Sequence, residues 1–498
     1  MKFNMRYNMT PKWTKWSLLG KRSFKILPIV MVISLGACTT NPATGDRQFT
    51  ALLPAAKEAQ VGAQEHVKIE KQFGKFMTGP VADYVSSVGQ KVAKNTERKD
   101  VTYRFYTIDN PLVNAFALPG GYIYVTRGLL TLANSEAEMA AVIGHEIAHV
   151  TGRHAAERMS AGALTGIGAA VVGIATSSAE IGRAASLGSN LYISSYSRSQ
   201  ENEADDLGIR YLARAGYDPK AMTRFLSNLD AQSKLEAEET GRKPSFSFFS
   251  THPMTSDRVA TTTRIAAEYP NSDTINRNTF LNKINGLTYG DSASQGFARG
   301  NKFYHPEMGF VFTVPEESKI RNGQTEVAAT HPNGTVILFD AARDSANPSA
   351  FDFLTQKVLK NQNAQNAERI TVNGLDGATA SFSGKVQGKS ATIRVTVVEW
   401  TPGQFFRFQM AIPSGKTSAF MNELKKTTYS LRRLSASEKK SIRPKTLRVI
   451  TAPSGATVSS MAAKMDVDGD KRKNFLVLNG LSSNAKIRAG QPYKIVVD

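Results

Sequence analysis

Two histidines four residues apart, His145 and His149, fall inside a stretch whose other signals are all helical. Ser135 with Glu138 three residues later is a capping-box start, and Met139, Ile143, Ile147 and Val150 recur on one apolar face. The spacing stacks both imidazoles on another face, one turn apart. Between them Glu146 lies about 100° around from His145. The segment His145-Glu146-Ile147-Ala148-His149 is thus an HExxH pattern, able to hold one zinc ion through two imidazoles. Glu146 would stand beside the ion as general base, taking a proton from an attacking water and returning it to the leaving amine. Whatever else the chain does, its fold must bury this helix and leave a cleft along the histidine side.

A catalytic zinc needs a third protein ligand. The extended pattern with a third histidine at 155 fails, because Ala155 stands there. His154 is one residue short and points about 100° away from that direction on a continuous helix, so it is read as a surface or outer histidine. A second helix, expected over about Ser197–Leu212, presents Glu201 and Asp205 at i and i+4. Glu201 can reach the metal, and Asp205 can accept the outer N–H of a ligand histidine. Glu203 lies about 200° from Glu201 and faces away. Arg198 is expected either to steady a carboxylate or the oxyanion, or to form a plain salt bridge. His252, in a loop before Pro253, has three readings: a donor to the tetrahedral intermediate, an occupant of the open zinc position at rest, or a loop cap. His66, His305 and His331 lack supporting partners and are read as structural.

At 498 residues, 41% hydrophobic and 21% charged, the chain is expected to form two to four domains and is neither disordered nor fibrous. A single cysteine, Cys38, excludes internal disulfides and any Cys-based zinc site. Formal charge is +20, and the first 37 residues hold seven Lys or Arg and no acid. No basic run is interleaved with aromatics, so nucleic acid is not an expected partner. The basic leader enters an apolar run, Ile26–Ala37, too short to span a bilayer, where about 20 residues are needed. It ends Leu35-Gly36-Ala37-Cys38, which resembles a bacterial lipobox: residues 1–37 would be a signal peptide and Cys38 the lipidated new terminus. The next residue is Thr39 rather than Asp, which in such lipoproteins implies the outer membrane, facing the periplasm.

Four motifs, Asn114-Ala115-Phe116-Ala117-Leu118-Pro119-Gly120-Gly121, the HExxH segment with Arg153-His154, Ser197-Arg198-x-x-Glu201-x-x-Ala204-Asp205 and Thr251-His252-Pro253-x-x-x-x-Arg258, together resemble metallopeptidase family 48. These HExxH gluzincins include HtpX, BepA and the CAAX prenyl proteases, and the resemblance spans about 57–260. It implies one zinc on His145, His149 and Glu201, with Glu146 as base. Gly121, Tyr122, Ile123 and Tyr124 are read as an edge strand to which an extended substrate adds. Met159–Ala179, 21 residues without a charge, reads as a packed or mobile helix pair near the cleft rather than a membrane span.

The expected fold class is α+β: a mainly helical zincin-type domain with a small edge sheet, then an α+β sandwich domain, then a small LysM-like domain. Residues 38–56 would be a lipidated tether, 57–275 the peptidase domain, 300–435 an α+β domain resembling the PsbP/Mog-like sandwich, and 445–498 the LysM-like unit. Expected strands include Val101–Ile108, Gly121–Thr126, Gly309–Val314, Val336–Asp340, Thr392–Trp400 and Phe405–Ile412. The expected function is a zinc endopeptidase of the bacterial envelope, acting on misfolded or misassembled envelope proteins, as the resemblance implies. Two alternatives stand beside it: a largely latent chaperone or assembly scaffold, and a peptidoglycan-binding anchor using the last unit, since true LysM modules bind N-acetylglucosamine polymers.

Overall fold

A computed structural model describes residues 38–164, 195–240, 248–255, 257–323, 325–360, 362, 365–386 and 388–498. The expected signal peptide and most of Met159–Ala179 lie outside the described residues. No described helix is long and apolar enough to cross a membrane.

The first part is mostly helical. It runs β1 (Cys38–Thr40), β2 (Arg47–Phe49), α1 (Ala55–Phe73), α2 (Pro80–Ala93), β3 (Arg104–Ile108), β4 (Ala115–Leu118), β5 (Tyr122–Thr126), α3 (Arg127–Leu132), α4 (Glu136–Thr151) and α5 (His154–Leu164). After the undescribed stretch come α6 (Arg198–Arg214), α7 (Ala221–Thr240), α8 (Phe248–Thr251), α9 (Arg258–Ala266) and α10 (Arg277–Ile284). Helix α4 carries the HExxH segment and is buried along its entire length. Ser135 caps it, its side chain accepting from the Glu138 N–H at 3.2 Å. The Glu138 carboxylate accepts instead from the Asn134 N–H at 2.8 Å, so only half of the expected capping box forms.

Helix α6 crosses α4 where each has a glycine. A Cβ on Gly144 would lie 3.2 Å from the Gly208 carbonyl, and one on Gly208 would lie 3.1 Å from the His145 nitrogen. Such small residues let two backbones approach closely, and that approach carries Glu201 and Asp205, earlier on α6, to the histidines.

A three-stranded sheet, ordered β3-β5-β4, covers the other side. Strand β3 runs parallel to β5 and β4 antiparallel to it. The expected edge strand is therefore corrected: Gly121 lies in the turn before β5, while Tyr122, Ile123 and Tyr124 lie in the central strand. Among the described residues the edges are β3 and β4, and the one packed against α4 is β4, whose Ala-Phe-Ala-Leu stretch carries too weak an alternation to be read as a strand from sequence.

Residues 297–433 are rich in sheet. One antiparallel sheet of seven strands includes Val336–Arg343, Leu375–Val386, Lys389–Thr401 and Gln404–Pro413; a second has four strands. Large apolar side chains fill one face of the larger sheet (Phe406, Phe408, Met410, Ile412) and smaller ones the other (Ala378, Ala380, Val395, Val397). The expected strands Thr392–Trp400 and Phe405–Ile412 lie within Lys389–Thr401 and Gln404–Pro413. Residues 446–497 follow as strand, helix, helix, strand, with Thr446–Thr451 antiparallel to Pro492–Val497. This last unit shares its apolar core with the helical first part: Leu447, Met461, Phe475 and Val496 belong to the same buried cluster as Ile143 and Ile147.

Candidate metal centre and active site

The i, i+4 spacing on α4 brings the Nε2 atoms of His145 and His149 to 3.1 Å. Glu201 enters from α6, its Oε2 lying 3.5 Å from His145 Nε2 and its Oε1 3.5 Å from His149 Nε2. From the end of α8, His252 points Nδ1 into the same space, 3.2 Å from His145 Nε2 and 3.0 Å from Glu201 Oε1. Four potential ligand atoms thus fall within 4.8 Å of one another, all on buried residues.

These spacings fit a metal ion. Tetrahedral zinc with bonds of about 2.0–2.1 Å sets its ligand atoms about 3.3 Å apart, the separation seen along these edges. The outer nitrogen of His145, Nδ1, lies 2.9 Å from Asp205 Oδ1, and that of His149 lies 2.7 Å from His154 Nδ1. With protons held on those outer atoms, two Nε2 lone pairs face each other, an arrangement that a cation relieves. Residues His145, His149 and Glu201 would hold zinc, with Asp205 lying at the outer nitrogen of His145.

Burial governs the electrostatics. It pushes Glu146 well above the usual carboxylate range, with nearby Glu201 adding to the shift. Glu201 is pushed up to about 7 by burial, against the pull of His145 and Arg258. Burial drives His149 well below the ordinary imidazole value, helped by His145 and His154. Aromatic walls keep the site dry: Tyr196 stacks on the His149 ring with centroids 3.6 Å apart, and Phe248 stacks on His252 at 4.2 Å. The Arg158 guanidinium lies 3.6 Å over the Tyr196 ring.

Among the described residues, neither oxygen of the Glu146 carboxylate has a hydrogen-bond partner. His252 Nε2 lies 3.4 Å from one of them. A small cavity lined by Ala117, Leu118, Pro119, His149, Val150 and Tyr196 opens between β4 and α4. Thr126 N donates to the Asn114 carbonyl, so residues 114, 116 and 118 exchange hydrogen bonds with β5. The N–H and C=O of Ala117 then face away from β5, toward the free edge.

The cation that steadies the carboxylates is not Arg198, which is exposed in the first turn of α6. It is Arg258, on α9 and 1% exposed. Its Nε and Nη2 each donate to Asp205 at 2.8 Å, and its Nη1 lies 2.8 Å from Glu201 Oε2. Sequence reasoning passed over this role. The signal was available in the fixed distance from His252-Pro253 to Arg258, together with the rule that buried carboxylates are paired. Glu203 faces away from the metal atoms as expected, lying 3.3 Å from His154 Nε2. His154 is fully buried rather than at the surface. The three histidines read as structural are so placed: His66 Nδ1 lies 2.8 Å from the Tyr124 hydroxyl, and His305 and His331 each accept a local backbone N–H at 3.2 Å.

Residues 81–266 match peptidase family M48. The chain is 32% identical over 189 residues to the beta-barrel assembly-enhancing protease of Escherichia coli, covering 36% of this chain and 38% of that protein. It is 29% identical over 208 residues to the mitochondrial metalloendopeptidase OMA1 of Schizosaccharomyces pombe, covering 41% of this chain and 59% of that one. The bacterial match thus spans well under half the length of the relative.

Proposed function

We propose, from the match of residues 81–266 to peptidase family M48, that the chain is a zinc-dependent endopeptidase of the bacterial envelope that cleaves misassembled outer-membrane proteins. One observation carries this reading: His145, His149 and Glu201 converge in a buried cluster with the unpartnered carboxylate of Glu146 beside it and the free edge of β4 alongside.

When bound, zinc supplies a Lewis acid that polarises the scissile carbonyl and makes water more acidic. The chain's residues do the rest. Ala117 pairs with the backbone of an extended substrate and lays it along α4, a mode that reads no side chains and so tolerates varied sequences. Glu146, whose buried carboxylate holds a proton more readily than usual, takes one from the attacking water and passes it to the leaving nitrogen. Arg258 keeps Glu201 and Asp205 in place, and Asp205 in turn orients His145.

The printed name of the Escherichia coli relative supports β-barrel assembly as the setting. The basic leader and Leu35-Gly36-Ala37-Cys38 support a lipid anchor on Cys38 and a place on the periplasmic face of the outer membrane. In the last unit, the order strand, helix, helix, strand supports the LysM-like reading, with peptidoglycan as its ligand.

A second reading, a largely latent scaffold, is favoured by His252. Its Nδ1 stands among the ligand atoms, where catalytic sites keep a position open. Withdrawal of His252 would then turn a closed site into an active one. On this reading His252→Ala raises cleavage, whereas a donor to the tetrahedral intermediate predicts a loss.

The test compares zinc-loaded 39–498 with its Glu146→Gln variant on an unfolded outer-membrane β-barrel protein. Cleavage by the first alone is expected. Equal cleavage by both overturns the role of Glu146. No cleavage by either, nor by His252→Ala, with one zinc bound in each, overturns the peptidase reading.

A further inference from the structure

The two zinc-binding histidines are supported differently. His145 has a carboxylate at its outer nitrogen, Asp205. His149 has another imidazole: its Nδ1 lies 2.7 Å from His154 Nδ1. His154 is wholly buried, and its Nε2 lies 3.3 Å from Glu203 Oε1. The same Glu203 oxygen accepts from the Asn41 side-chain amide. Asn41 is itself buried, and its Oδ1 accepts from the Ala43 N–H at 2.9 Å, which directs the amide nitrogen at Glu203.

If His149 uses Nε2 for the metal, its proton sits on Nδ1 and is donated to His154 Nδ1. His154 must then carry its own proton on Nε2, facing Glu203, whose carboxylate can only accept. This one assignment gives the 2.7 Å His149–His154 contact a donor and an acceptor, and it turns the His154 Nε2 proton toward Glu203 at an ion-pair separation of 3.3 Å rather than in a formed hydrogen bond. The backbone is also shaped for it. Gly152, with φ −72°, is not needed for conformation. It is needed for space, since a Cβ there would lie 2.6 Å from His154 Nε2 and 2.9 Å from Glu203 Oε1. Arg153 has φ 56°, which ends α4 and turns His154 back toward His149.

The residue that makes this turn is held from the N-terminal side. Arg153 donates to Glu58 at 2.7 Å, to Thr39 at 3.0 Å, to Thr50 at 3.2 Å and to the Leu53 carbonyl at 2.8 Å. Gln48 donates to the Gly152 carbonyl at 2.6 Å. Residues 38–56, expected to be a tether, thus include a hairpin docked against the end of the HExxH helix.

We infer that His154, Glu203 and Asn41 are positioning residues for His149, so that the N-terminal hairpin is a working part of the metal centre. The inference rests on the zinc reading above. Carboxylates and other groups behind a ligand histidine commonly govern metal affinity by 10–100-fold.

The test measures zinc affinity of chain 39–498 by competition with a chromophoric chelator, together with the melting temperature of each metal-free protein. His154→Ala and Glu203→Gln are expected to weaken zinc binding on the order of 10–100-fold, and Asn41→Ala by a smaller factor in the same direction. His154→Asn places an amide oxygen where the ring Nδ1 stood and is expected to recover most of the loss. A residue that merely fills space would show no such recovery, so equal losses for His154→Ala and His154→Asn overturn the inference. Glu203→Gln is nearly isosteric and decides the matter should the His154 variants fail to fold: unchanged affinity overturns the inference alone, with the peptidase reading intact. A parent chain that takes up no zinc overturns both.

Discussion

Glu201 holds its proton to about pH 7 in the metal-free cluster because burial penalises the carboxylate more than His145 and Arg258 favour it. Zinc must displace that proton, so affinity falls as pH drops below about 7, and binding at pH 6 releases more protons than binding at pH 8. Calorimetry in buffers of different ionisation enthalpy reads this directly. For the metal-free fold the sign is opposite to that of an ordinary paired carboxylate. A group whose folded value lies above its unfolded one stabilises at low pH and loses that contribution as pH rises through the folded value. Metal-free stability therefore falls through Glu201 as pH rises from about 4.5 to about 7, and zinc reverses the trend. Arg258 is the counter-charge for two buried carboxylates, so Arg258→Met leaves them with imidazole partners but no permanent cation and should cost about 3–5 kcal/mol in urea unfolding. Arg258→Lys should rescue little, since one ammonium cannot reproduce the two-pronged contact with Asp205 and also reach Glu201.

Among the elements, the crossing of α4 and α6 and the edge of β4 do the positioning. Gly208→Ala would set a methyl 3.1 Å from the His145 nitrogen, which belongs to backbone and cannot swing aside. The helices must part by a few tenths of an ångström, at a cost of about 1–3 kcal/mol, and zinc affinity should fall with stability. Ala117→Pro tests the strand. It removes the N–H that faces the free edge while edge strands tolerate proline. Cleavage of unfolded polypeptide should drop at least about tenfold through the loss of a backbone hydrogen bond and of access beside the ring, with bound zinc unchanged. Helix α4 was legible because capping, apolar period and HExxH agreed on one segment. Strand β4 was not: four apolar residues carry no period of their own, and only its register with Tyr122–Val125 makes it a strand. Without β4, Tyr122–Val125 has no partner on that side and reads as the edge.

For the whole molecule, the last unit is bound into the peptidase part. Lys494 is fully buried, and its ammonium donates to the carbonyls of Thr131, Leu132 and Ala133 at 2.7, 3.1 and 2.7 Å. Burial pulls its pKa down, yet only the charged form has three donors for three acceptors. These carbonyls end α3, where a cation is also favoured by the helix dipole. Lys494→Met should cost about 3 kcal/mol, because the Thr131 and Ala133 carbonyls lose this donor while buried; Leu132 keeps those of Asn134 and Asn228. Deleting 445–498 would strip the shared core, so the peptidase part should melt earlier than in the full chain. Peptidoglycan binding is then better tested with surface substitutions on the last unit, scored by co-sedimentation, than by that deletion.

What the sequence by itself determined is local: a capped helix presenting His145, Glu146 and His149, and a second helix presenting Glu201 and Asp205 one turn apart. Spacing along a helix is a property of the chain, and no tertiary contact alters it. Tertiary structure decided the rest. It supplied Arg258 from a distant helix, made β4 rather than β5 the edge beside α4, and brought the N-terminal hairpin to the metal centre. His154 shows the difference most plainly. On a continuous helix it points away from the ligands, but Arg153 adopts a left-handed φ, held there by Glu58, Thr39, Thr50 and Leu53, and the helix breaks. Four contacts from residues about a hundred positions away overrule a local periodicity, and no reading of residues 145–154 alone could contain them.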